Sequence, residues 1–97
     1  MVKKTFSSLL VRAKERDSYW TARAVHGFTE DLCRLMKQRG VSKAELARRL
    51  GSSPAYVTRV LRGNTNFTIE SMVRMVRALD GRLSLQVEAP IRDKPYD

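Results

Sequence analysis

The chain has 97 residues, 42% of them hydrophobic, with 19 basic and 10 acidic side chains and a net charge of +9. That length supports one modest core and excludes two independent ones. No apolar run nears the ~18 residues of a membrane span, and the short apolar stretch after Ser8 is too brief for a signal peptide, so a cytoplasmic protein with no membrane partner is expected.

Phe6, Leu9, Leu10 and Ala13 fall at helical spacing behind Ser7 or Ser8, which predicts a short helix near Ser7–Arg16. It would form an N-terminal extension over residues 1–17. Asp17 or Ser18 can cap a second, longer helix ending near Arg39, with Gly40 as its stop. Trp20, Ala24, Phe28 and Leu32 repeat every fourth residue along it, joined by Leu35 and Met36, and are expected in the core. Gly27 lies inside this stripe and is expected to weaken or bend it. Cys33 and His26 are each the single residue of their kind. Neither has neighbours in sequence that would make a disulfide, a metal site or a catalytic pair, so Cys33 is expected as a small buried hydrophobe and no metal or other cofactor is expected.

Ser42-Lys-Ala-Glu45 has the pattern of a capping box and predicts a third helix over Lys43–Leu50, closed by Gly51. Ser53 caps the next, with Pro54 at its first position, where no amide is needed. That helix runs to about Leu61 and Gly63 closes it. Thr68 caps a last helix, Ile69–Leu79, with Ile69, Met72, Val73, Val76 and Leu79 on one face and Asp80-Gly81 at its end. The period then changes. Leu83, Leu85 and Val87 alternate with Ser84, Gln86 and Glu88, as a strand would. One strand cannot stand alone, and no second one is offered, so residues 82–89 are expected to pair with the same strand of another copy. A cover strand within the chain is the alternative. Residues 90–97 read as a flexible tail.

Two short helices around a glycine turn, Leu46, Ala47 and Leu50 facing Val57 and Val60, make a helix-turn-helix within a domain spanning residues 18–81. The charge is concentrated there. Residues 34–62 hold eight basic side chains (Arg34, Lys37, Arg39, Lys43, Arg48, Arg49, Arg59, Arg62) against one acidic, Glu45. Such a window attracts a polyanion by counterion release, although a merely solvated face would have the same composition. At ~100° per residue, Ala55, Arg59 and Arg62 project opposite Val57, Val60 and Leu61, with Tyr56 and Thr58 on the flanks. An exposed arginine can donate two hydrogen bonds to guanine in the major groove, and Arg59 sits at the centre of the outward face. Ala55 permits close approach to a thymine methyl. Tyr56 and Thr58 could reach base edges or phosphates. Lys43, Arg62, Asn64, Asn66 and the amide-rich helix start at Ser53 suit the phosphate backbone. The competing roles are packing for Tyr56, turn-shaping for Asn64, solvation for Arg62, Arg48 and Arg49, and an ion pair with Glu45 for Arg59.

The run Lys43-Ala-Glu-Leu-Ala-Arg-Arg-Leu-Gly-Ser-Ser-Pro-Ala-Tyr-Val-Thr-Arg-Val-Leu-Arg-Gly63 resembles the lambda-repressor and Cro type of DNA-binding domain, the XRE family. The likeness extends over residues 28–80. Ser52 and Pro54 depart from it; the family favours an apolar residue at the first and a base-reading glutamine at the second. The resemblance implies an all-α, five-helix lambda-repressor-like domain, here followed by the β-strand for dimer pairing. It also implies a repressor acting as a homodimer on a palindromic double-stranded operator, with half-sites ~34 Å apart. Antitoxins of the HigA kind are similar too, so a toxin protein is an alternative partner, held by the N-terminal helix and the tail. No nucleophile–base pair, phosphate loop or carboxylate pair points to an enzyme. The aromatic residues sit mostly at core spacing, which disfavours RNA stacking.

Overall fold

The computed structural model describes residues 6–63 and 65–89, and the tail expected at 90–97 lies outside them. Among the described residues there are four helices: α1 (Phe6–Arg39), α2 (Lys43–Leu50), α3 (Pro54–Leu61) and α4 (Ile69–Ala78). The all-helical class is as expected. The five-helix count is not, because the two N-terminal helices are one.

α1 is a single helix of 34 residues, about 51 Å long at 1.5 Å per residue. Asp17 and Ser18 do not start a new helix. Nothing between Phe6 and Val25 is a proline or glycine, and continuing an existing helix costs less than nucleating another. The boundary drawn between residues 17 and 18 therefore falls inside an element. Gly27 also sits in continuous helix.

The three shorter helices have 8, 8 and 10 residues, so they cover only the carboxyl half of α1. Leu32 and Met36 are buried and Phe28 and Leu35 pack on the core, but Ala24 is exposed and Trp20 is 59% exposed. The expected stripe thus runs off the end of its partners, and Trp20 is not a core residue. Cys33 is exposed, against expectation. Thr29 is the exception to an apolar interior; its hydroxyl donates to the His26 carbonyl at 2.9 Å.

The core unites α1 with Val41, Leu46, Ala47, Val57, Val60, Met75, Val76 and Leu79. Each of the three short helices begins on the expected cap. The hydroxyls of Ser42, Ser53 and Thr68 accept from the amides of Glu45, Tyr56 and Ser71. α4 starts at Ile69 as expected but ends at Ala78, one residue before Leu79, and Ile69, expected on its apolar face, is 56% exposed. Its end departs in detail too. Asp80, not the glycine, takes the left-handed conformation (φ 62°), and the Asp80 and Gly81 amides return to the carbonyls of Arg77 and Val76. A Cβ at Gly81 would stand 2.7 Å from Leu35 Cδ2 and 2.9 Å from Val76 Cγ1, so that position is small because α1 and α4 close on it.

Residues 82–89 form no strand within the single chain. Leu83 packs on its own core, whereas Leu85 is 58% exposed and Val87 wholly so.

Candidate nucleic-acid interface

The geometry of the site starts at the turn between α2 and α3. Gly51 adopts φ 68°, a conformation that carries little cost only without a Cβ. The Gly51 and Ser52 amides bond back to the Arg48 and Ala47 carbonyls at 3.1 and 2.9 Å, so the chain reverses sharply. Ser53 then receives the Tyr56 amide at 3.1 Å and Pro54 opens α3. Ala47, 2% exposed, is the small residue that lets the two helices lie close.

α3 is divided by face as the pattern requires. Val57 and Val60 are each 1% exposed, while Ala55, Arg59 and Arg62 are open to solvent on the other side. Pro54 and Ser53 at its start are exposed as well, as are Lys43 and Asn66. Thr58 is half-buried on a flank. Tyr56 is half-buried and packs on the core, yet its ring also lies 5.8 Å from the Arg59 guanidinium, close enough for a cation–π contact. Asn64 lies outside the described residues. Ala55, Arg59 and Arg62 thus share the solvent-facing side of α3, with Tyr56 and Thr58 half-buried beside them, and Lys43 and Asn66 are exposed on other segments.

The other arginines of the cationic window are held by the fold. Glu45 accepts from both Arg48 (Nε, 3.0 Å) and Arg49 (Nε, 2.9 Å) rather than from the Ser42 amide or from Arg59, so only half of the capping box forms. The hydrogen bonds from Arg48 and then Arg49 hold the Glu45 carboxyl down to about 2. Arg49 also donates to the Ala78 carbonyl at 2.8 Å, and Arg39 donates to Leu79 and Asp80 at 3.1 and 3.2 Å. These are the unpaired carbonyls at the end of α4, where positive charge is favoured. From α4, Arg74 returns the bond to the Leu50 carbonyl at 3.0 Å. Arg34 is paired with Asp31 at 2.7 Å. Carbonyl partners tie a side chain without cancelling its charge, and the cations of the window with neither a carboxylate nor a carbonyl partner among the described residues are Lys37, Lys43, Arg59 and Arg62. The spacing of Glu45 to Arg48 and Arg49, three and four residues, was the readable signal for the ion pairs. Nothing local in sequence marks Arg39 or Arg74, which bond across 41 and 24 positions.

A sharp glycine turn between two short helices, with the second presenting a cationic outer face, defines a helix-turn-helix DNA-binding protein. The chain belongs to the lambda-repressor and Cro type of helix-turn-helix family, whose model matches residues 34–86, more than half of its length. Comparison with curated proteins gives no match, and comparison with solved structures gives none. The family makes this chain a DNA-binding transcription regulator. No helix among the described residues is long and apolar enough to cross a membrane.

Proposed function

We propose that the protein is a sequence-specific repressor that binds a palindromic operator as a homodimer and controls its own transcription. α3 enters the major groove. Arg59 reads guanine, Ala55 lies against a thymine methyl, and Tyr56 and Thr58 contact the edges of the groove. Lys43, Arg62, Asn64, Asn66 and the amide-bearing start of α3 at Ser53 and Pro54 take phosphates. The observation that carries this reading is the division of α3: two valines sealed in the core, and Ala55, Arg59 and Arg62 exposed on the opposite side. Pairing of residues 82–89 between two copies would join the heads, with Leu85 and Val87 as the contacts, since Leu83 is already engaged in its own core.

A footprint on the protein's own upstream region, repeated with Arg59→Ala, tests the proposal. The variant should lose discrimination between operator and random duplex by roughly 1–3 kcal/mol. Equal affinity of the unaltered protein for both duplexes would refute sequence-specific reading. An antitoxin would share this surface and differ in having a toxin on α1, where the exposed Tyr19 and Trp20 favour a contact; co-purification with the product of a neighbouring small gene separates the two readings.

A further inference from the structure

The amino half of α1 projects beyond the other helices, and its polar residues are not scattered. Arg12, Arg16, Tyr19, Arg23 and His26 follow one another at four, three, four and three residues. At ~100° per residue they share one face of the helix. All five are exposed. Among the side chains that the structure describes, which leave out Glu15, no carboxylate forms an ion pair with Arg12, Arg16 or Arg23; Glu30, next along the face, lies 3.0 Å from His26. Asp17 turns away from the stripe and lines the cleft on the other flank with Ser18 and Thr21.

Arg23 is held ready without being neutralised. It donates to the Tyr19 hydroxyl at 3.4 Å, and its guanidinium lies 5.3 Å from the Trp20 ring and 6.0 Å from that of Tyr19. The two rings meet edge to face at 5.2 Å. Aromatic contacts restrict the side chain while leaving its charge available to an anion.

The stripe is continuous with the surface that α3 presents. Arg62, the last outward arginine after α3, lines one groove together with Tyr19, Arg23, His26 and Gly27 of α1, with Glu30 at the same groove. From Arg12 to Arg23 the stripe is about 16 Å long, the rise of about five base pairs. Two copies of this face set against each other would oppose arginine to arginine, so self-pairing is disfavoured.

We propose that this face of α1 is a second DNA surface, which holds the phosphates of the duplex flanking the half-site read by α3. The proposal rests on the DNA reading above and adds residues outside the matched family region.

The test uses the full chain carrying Arg12→Ala, Arg16→Ala and Arg23→Ala together. The positions are exposed and alanine is the best helix former, so circular dichroism should match that of the unaltered protein. Binding to operator and to random duplex should weaken together, by about tenfold or more at low salt. The slope of log affinity against log salt should flatten by about 1 for each phosphate contact removed. Their ratio should stay constant, the opposite of the Arg59→Ala signature. Trimming the duplex flanks should weaken the unaltered protein and leave the triple variant indifferent. If the triple variant keeps the affinity and slope of a protein that does bind DNA, the stripe is no DNA surface and a protein partner takes its place. If the unaltered protein binds no duplex at all, the DNA reading itself fails and this proposal falls with it.

Discussion

Glu45 sits beneath two arginines, and its titration makes part of the fold pH-dependent. Its carboxyl is held near 2 in the folded chain against an ordinary 4.5, chiefly by hydrogen bonds from Arg48 and Arg49. A carboxyl depressed in this way stabilises the folded state fully above pH 4.5, and the contribution is lost as pH falls towards 2. Urea titrations of the unaltered protein and Glu45→Gln should therefore differ most at neutral pH and converge in acid. A constant difference across that range would show that the ion pairs are not the cause. Gly81 is a second residue whose side chain, or lack of one, has a physical reason: Leu35 and Val76 leave no room for a Cβ. Gly81→Ala should destabilise by about 1–3 kcal/mol, read as a lower denaturation midpoint with an unchanged slope.

At the scale of elements, α1 allows the plainest test. Gly27 lies in its interior and an added Cβ would meet nothing within 4 Å. Gly27→Ala should raise stability by about 0.5–1 kcal/mol in the same denaturant titrations, because glycine loses more freedom on entering a helix. A loss of stability would mean that the helix uses a bend there. The capping serines, the glycine turn and the division of α3 by face were all legible in sequence, because each is set by residues within one or two turns of one another. Trp20 and Ala24 were misread for the complementary reason. Their four-residue spacing fixes which side of the helix they occupy, but whether that side is covered depends on how far α2, α3 and α4 reach. The merging of two expected helices into α1 has a related origin: Asp17 and Ser18 are good caps only where a helix has cause to begin.

At the scale of the whole molecule, the proposed pairing makes residues 82–89 the segment that sets how many copies act together. Leu85 and Val87 are open in the single chain, so Leu85→Pro would disturb little in one copy while removing a ladder amide from any strand pair. Sedimentation should then find monomers, and operator affinity should drop at least tenfold. A monodisperse, fully active dimer of this variant would move the association elsewhere. Such an assembly could not be deduced from periodicity alone, since alternation specifies a strand and not its neighbour. One last feature reaches across this scale: the reciprocal arginine–carbonyl bonds of Arg49 to Ala78 and Arg74 to Leu50. They tie the carboxyl end of α2 to α4 twice over, so α3, which follows directly after the glycine turn, is mounted on a braced support. If α3 reads an operator as proposed, a braced helix leaves the distortion to the duplex, and selectivity should track the deformability of the DNA as well as its hydrogen-bonding edges.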